Sequence, residues 1–125
     1  MGLEKCLADL HNKDRALVFP SAYTANQSTI SILCKNIDDI EIFSDELNHA
    51  SLIEGIRNSG AKYHIFKHNN IDDLEKKLND CDIQKPKLIV CESIYSMEGI
   101  RSPLKEIVRL AKKYNSLTYL SLIHI

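Results

Sequence analysis

A chain of 125 residues with 44% hydrophobic side chains holds enough apolar material for one compact domain, and its formal charge of −1 offers no basic field for nucleic acid or an acidic membrane surface. No apolar run approaches the roughly eighteen residues that span a bilayer, and MGLEKCLADL lacks the basic-then-apolar pattern of a secretory leader. Cys6, Cys34, Cys81 and Cys91 are scattered without a CxxC pair, which argues for reduced thiols over a disulfide frame or a zinc knuckle.

Leu3, Cys6, Leu7 and Leu10 return on one face, predicting a helix over residues 3–11 that Asn12-Lys13-Asp14 ends. Residues 16–19 are a short apolar run, expected to be a strand stopped by Pro20. Ser21 then reads as the N-cap of a helix through Tyr23, Ile30, Leu33 and Cys34, with Asn36 near its end. The free N–H groups and dipole of such a helix start make an anion site, although on these residues alone an ordinary capped helix is the better reading, since SAY is no glycine-rich phosphate fingerprint.

Residues 39–44 are expected to form a buried strand, followed by a polar loop and a helix from His49. Leu52, Ile53 and Ile56 define its apolar face, with Glu54 and Arg57 outside. A loop at the carboxyl end of a strand that opens into a helix is where α/β proteins place ligand chemistry. His49 is therefore a candidate ligand-site residue or a helix-start residue satisfied by neighbouring backbone. A third strand is predicted over residues 61–67. His64 and His68 flank its end, and strand periodicity does not bring positions four apart together as metal ligands, so no metal site is expected.

Leu74 and Leu78 predict a helix over residues 71–79 with a solvated charged face. Pro86 introduces a β-branched run over residues 87–91, typical of a strand covered on both faces. Residues 92–101 read as a polar loop pivoting at Gly99. Pro103 opens a helix through Ile107, Leu110 and Ala111 to Tyr114, and a last strand begins at Leu117. Strands alternating with helices predict a mainly parallel sheet with helices on both sides, a three-layer α/β/α fold. The polar segments 21–23, 44–49 and 92–99 all follow expected strands and would gather along one rim.

Together, LEKCLADLHNK, SAYTAN, FSDELNHASLIEGIR, PKLIVCESIYSMEG and LAKKYNSLTYL resemble the α-oxoamine synthases, pyridoxal-phosphate enzymes of the aspartate-aminotransferase fold (fold type I). The resemblance covers nearly the whole chain, and SDELNHAS followed by ESIYSMEG is its most specific part. Within the family, FSDELNHASLIEGIR with HIFKHNN is most similar to the branch that condenses glycine with succinyl-CoA. The resemblance implies pyridoxal 5'-phosphate as cofactor, glycine and succinyl-CoA as substrates and a homodimer. It implies a cytoplasmic protein, or one of the mitochondrial matrix if a presequence precedes this segment.

By resemblance, Ser21, Ala22 and Tyr23 match the turn that holds the cofactor phosphate, and His49 matches the histidine that stacks on the pyridine ring. Ser96 and His124 match contacts to the phenolic oxygen, and Ser44 matches a contact to the acyl-CoA. A family lysine that touches CoA falls at Tyr63, with Lys62 beside it. The family pattern continues after LTYL with DEVHAVG, whose aspartate pairs with the pyridine nitrogen, whereas this chain has Ser121-Leu122-Ile123. Residues 1–125 are therefore expected to be part of a large cofactor-binding domain with a divergent tail over 121–125. The lysine that binds the cofactor covalently is not among them, and no turnover is expected of these residues alone.

Overall fold

The computed structural model describes residues 2–92, 94–95, 100–101 and 103–121. In chain order its elements are α1 (Gly2–Leu10), α2 (Ala22–Lys35), β1 (Glu41–Asp45), α3 (Ala50–Ser59), β2 (Lys62–Phe66), α4 (Ile71–Asp80), β3 (Lys87–Glu92), β4 (Ile94–Tyr95), β5 (Ile100–Arg101), α5 (Leu104–Lys113) and β6 (Leu117–Ser121). Four strands form one parallel sheet in the order β2-β1-β3-β6, and β4 pairs antiparallel with β5.

Alternation along the strands divides the apolar side chains between two cores. Ile42, Leu88 and Val90 pack against Ile30 and Cys34 of α2 and Leu52 and Ile56 of α3. Phe43, Phe66, Ile89 and Cys91 pack against Leu74 and Leu78 of α4 and Ile107 and Leu110 of α5. The result is the expected three-layer α/β/α arrangement. Each fully buried aliphatic or phenyl side chain contributes roughly 1.5–3 kcal/mol, so the two cores carry the fold. Local signals agree with them: Ser21 caps α2 with its hydroxyl accepting from the Thr24 N–H, Asn70 caps α4 through Asp73, and Gly60 ends α3 at a left-handed φ of 72°.

The connections decide where a ligand would sit. From β1 the chain runs through α3 to β2 on one side, and from β3 through α5 to β6 on the other, so the direction of winding reverses between β1 and β3. Their carboxyl ends flank the topological switch point, where a crevice opens in sheets of this kind.

Two expectations fail. Residues 16–19 form no strand: Leu17 and Val18 are exposed, and the Val18 N–H is taken by the Glu4 carboxylate of α1 at 2.8 Å. An apolar run becomes a strand only where a neighbouring strand offers a ladder, and here a helix supplies the acceptor instead. Residues 92–101 are not simply a loop either. Glu92 completes β3 in register with Ser121, and β4 and β5 form a ribbon beyond it. His64 and His68 do not meet. His64 stacks on Phe43 and binds Glu41, while His68 binds Asp45.

At the amino end of the sheet the buried Glu41 carboxylate receives His64 Nε2 at 2.7 Å and Lys85 Nζ at 3.1 Å. Burial alone would raise its pKa, but the bonds from His64 and Lys85 outweigh it and hold the group at about 2 against an ordinary 4.5. A folded value below the unfolded one means stability that is complete above pH 4.5 and lost as pH falls toward 2. Acid titration of stability should show this component, on the order of 3 kcal/mol, and Glu41→Gln should flatten it in that window.

Helices α2 and α3 touch through Gly55, where an added Cβ would lie 3.0 Å from the Gln27 carbonyl oxygen and 3.1 Å from the Ile30 Cβ. Gly55→Val should lower stability by about 2–3 kcal/mol in chemical denaturation, because two backbones would have to part. An unchanged midpoint would show that the helices yield freely.

Candidate functional site

Asp45 ends β1 and organises the turn that follows. Its Oδ1 accepts from the Leu47 N–H at 2.9 Å and meets His68 Nδ1 at 3.0 Å, while Oδ2 accepts from the Asn69 N–H at 3.0 Å. The turn delivers Asn48, which is 5% exposed, into the gap between strands. Its Nδ2 donates to Ser44 Oγ on β1 at 2.8 Å and to the Val90 carbonyl on β3 at 2.9 Å. One residue on, the His49 N–H donates to Glu92 Oε2 at 3.0 Å. The loop is thus stapled across the switch point by two side chains that a buried, unpaired backbone would otherwise need.

His49 caps α3. Its Nδ1 accepts from the Ser51 N–H at 3.1 Å and lies 2.9 Å from Ser51 Oγ. A backbone N–H only donates, so Nδ1 is bare and the neutral ring carries its proton on Nε2. The ring meets Tyr23 edge to face, with centroids 6.2 Å apart at 79°. Tyr23 in turn donates its hydroxyl to Glu54 Oε2 at 2.8 Å, and that bond pushes the phenol pKa up. Two helix starts therefore stand side by side: Ser21, Ala22 and Tyr23 on α2, and His49 on α3. At the head of α2, Ser21 satisfies the Thr24 N–H, leaving those of Ala22 and Tyr23 without an intrahelical acceptor.

Alternation places Ser44, Glu92 and Ser121 on the sheet face toward α2 and α3, two residues beyond Ile42, Val90 and Tyr119. Ser44 is 3% exposed and its hydroxyl is turned inward, between Asn48 and the Asp45 carbonyl. Ser121 is 4% exposed, and its Oγ has no hydrogen-bond partner among the described residues. Lys62 is not brought to this group. It pairs with Glu41 at the amino end of the sheet, three registers from Ser44 and so about 10 Å along the strand. Ser96 and His124 lie outside the described residues. Among the described residues no three His, Cys, Asp or Glu side chains come together as a metal site.

Three residues behind His49 escape a reading by motif. Asn26 Nδ2 donates to Ser51 Oγ at 3.1 Å, and Tyr119 Oη donates to Asn26 Oδ1 at 2.9 Å. One signal was available: Asn26 shares the apolar face of α2 with Ile30 and Cys34 at helical spacing, and a buried amide demands partners.

The family model for class I and II aminotransferases matches residues 2–125. The chain is 55% identical over 122 residues to 5-aminolevulinate synthase of Rickettsia prowazekii, covering 98% of this chain and 30% of that protein. Against the mitochondrial 5-aminolevulinate synthase of Candida albicans it is again 55% identical, covering 98% and 22% respectively. Among solved structures it is similar to a substituted form of SPT with PLP, at a TM-score of 0.88 and 35% identity over 94% of this chain and 29% of that one. An 8-amino-7-oxononanoate synthase from Francisella tularensis matches at a TM-score of 0.73 and 28% identity, over 87% and 30%. The chain thus spans less than a third of the length of these relatives.

The staple can be tested apart from any ligand. Asn48→Ala leaves the Val90 carbonyl and the Ser44 hydroxyl each short of a donor, and should cost about 2 kcal/mol in thermal or chemical unfolding. A loss below about 0.5 kcal/mol would mean that other groups hold the loop.

Proposed function

Since this chain belongs to the class I and II aminotransferase family, matched over residues 2–125, we propose that it forms part of the cofactor-binding domain of a pyridoxal-phosphate-dependent acyltransferase of the α-oxoamine synthase type. The reaction is the condensation of glycine with succinyl-CoA to 5-aminolevulinate, CoA and CO2, the entry to tetrapyrrole and heme synthesis. The observation that carries this reading is the placing of His49 as the cap of α3, beside the open helix start of α2 and above the switch point.

The residues present fit the cofactor in two respects. The first-turn N–H groups of Ala22 and Tyr23 and the dipole of the 14-residue α2 suit a phosphate dianion, with Ser21 fixing the helix start. The flat imidazole of His49, clamped by Ser51 and backed by Tyr23, suits the face of a pyridine ring and would hold its plane. When bound, pyridoxal phosphate supplies the electron sink for a carbanion next to the amino acid carboxyl. Ser44 and Lys62 are proposed as contacts to the acyl-CoA, Ser44 near the carboxyl end of β1 and Lys62 at the amino end of β2. Ser96 and His124 are proposed as contacts to the cofactor's phenolic oxygen. A second copy of the chain as homodimer partner belongs to the same reading. So does a cytoplasmic or mitochondrial-matrix location, in keeping with bacterial and mitochondrial relatives.

One residue does not fit. Ser121 offers a hydroxyl where the reaction calls for a carboxylate beside the pyridine nitrogen, and a hydroxyl cannot hold that nitrogen protonated. Glu92 is in register on the next strand, but its Oε2 already accepts the His49 N–H. This favours, as a second reading, a family member that binds the cofactor without turnover.

The test is made on the protein with its flanking polypeptide, by visible absorbance with pyridoxal phosphate and by aminoketone formed from glycine with succinyl-, acetyl- or pimeloyl-CoA. Saturable cofactor binding and product from succinyl-CoA alone are expected. His49→Ala should bind the cofactor about tenfold more weakly, the equivalent of one lost ring contact. Product from another acyl-CoA would reassign the substrate within the family, and binding without any product would favour the second reading. Absence of binding would sink both.

A further inference from the structure

Behind His49 runs a chain of four side chains from three elements: Tyr119 on β6, Asn26 on α2, and Ser51 and His49 at the start of α3. Consecutive polar atoms are 2.9, 3.1 and 2.9 Å apart. Asn26 is 6% exposed and Ser51 is fully buried, so bulk water does not compete along the middle of the chain. We propose that Asn26 and Tyr119 are positioning residues for His49, which act through the Ser51 hydroxyl to hold its ring in one plane and in the Nε2–H form. The consequence for chemistry rests on the reading of His49 as the ring-covering residue of a cofactor site.

The direction of every proton in the chain follows from one backbone group. The Ser51 N–H points at His49 Nδ1 at 3.1 Å and can only donate, so Nδ1 must accept. Ser51 Oγ, 2.9 Å from the same nitrogen, must then turn its own hydrogen toward it. With that hydrogen spent, Oγ is left to accept, and the group of Asn26 that faces it must be the amide nitrogen. The carbonyl oxygen of Asn26 therefore faces Tyr119, which must donate. Burial pushes the Tyr119 phenol up, against a smaller opposing effect of Thr29, and this keeps it a donor. No member can be reversed without leaving two donors or two acceptors face to face.

The arrangement does what the Ser51 N–H alone cannot. A single bond leaves the imidazole free to swing about that contact, whereas two donors from different directions, one anchored through α2 to the sheet, define the ring plane. A residue that covers a flat ligand has to hold its plane before the ligand arrives, since ordering it on binding costs affinity. The Asn26 amide bonds to Ser51 and Tyr119, and the Tyr119 hydroxyl to Asn26, so their effect on the ring passes through Ser51.

The proton order is read directly from the ring nitrogens of His49 by long-range 1H–15N correlation in histidine-labelled protein, above the titration range of free imidazole. Wild type is expected to show a bare Nδ1 and a protonated Nε2. Asn26→Asp is nearly isosteric but only accepts, so it draws the Ser51 hydrogen away from the ring. With one of its two donors lost and the Ser51 N–H still in place, the Nδ1 signal should move further from the protonated position while the signals of His11, His64 and His68 stay in place. Ser51→Ala alone should move Nδ1 in the same direction, and adding Asn26→Asp to it should move the signal no further, because the link is then cut. If Asn26→Asp does not fold, Tyr119→Phe should shift Nδ1 in the same direction by a smaller amount, because Asn26 is then free to turn over. A proton on Nδ1 in wild type, unchanged ring signals in the variants, or a further shift on adding Asn26→Asp to Ser51→Ala, which would reflect only the added charge, would each overturn the proposal. The measurement needs no cofactor. Failure of the protein to bind pyridoxal phosphate would sink the reading of what His49 covers, while these signals still decide what positions it.

Discussion

The candidate site depends on the two hydrogen bonds that Asn48 Nδ2 makes to Ser44 Oγ and to the Val90 carbonyl. They lie where the winding of the sheet reverses, at a point where neither neighbouring crossover covers the gap between β1 and β3. A parallel sheet leaves that gap open by its topology, and a polar loop crosses it only if its buried groups find acceptors. Asn48 supplies both donors from one amide, and Glu92 takes the next N–H of the chain. With those bonds in place the entry angle of α3 is set, and the direction of His49 with it.

The close contact of α2 with α3 then makes two separate helix starts into one surface. Gly55 lets the α3 backbone lie against the carbonyls of Asn26 and Gln27. That approach brings Tyr23 to the edge of the His49 ring and Asn26 within reach of Ser51. Packing of this kind between helices is usually a matter of apolar area alone, and the Ile30, Leu52 and Ile56 contacts provide it here. What is added is a buried amide on the apolar face of α2, which is tolerable because its nitrogen and its oxygen each find a partner.

The two ends of the sheet differ in character. The amino end is closed by an ion cluster around Glu41, His64 and Lys85 and by Lys87, whose buried ammonium donates to the Asp82 and Lys85 carbonyls. These groups satisfy one another and explain themselves as structure. The carboxyl end gathers Ser44, Glu92 and Ser121 on one face beneath the two helix starts, and Ser121 keeps a hydroxyl without a partner among the described residues.

The sequence by itself determined the alternation of strands and helices, the cap at Ser21, the buried run of β3 and, through its motifs, the family and the place of His49. These are local matters of period, capping chemistry and the order of motifs, and each is written in neighbouring residues. Local pattern misled where pairing mattered: the apolar residues 16–19 found no ladder, and Glu92 became the end of a strand because Ser121 offered a register opposite it. Only the tertiary structure decided that β1 and β3 are neighbours, that Asn48 staples them, that Lys62 stands at the far end of the sheet, and that Asn26 and Tyr119 stand behind His49. The reason is that those relations join residues 21 to 93 positions apart, and a pairing or hydrogen bond across such a separation is set by the packing of whole elements, not by the residues on either side of it.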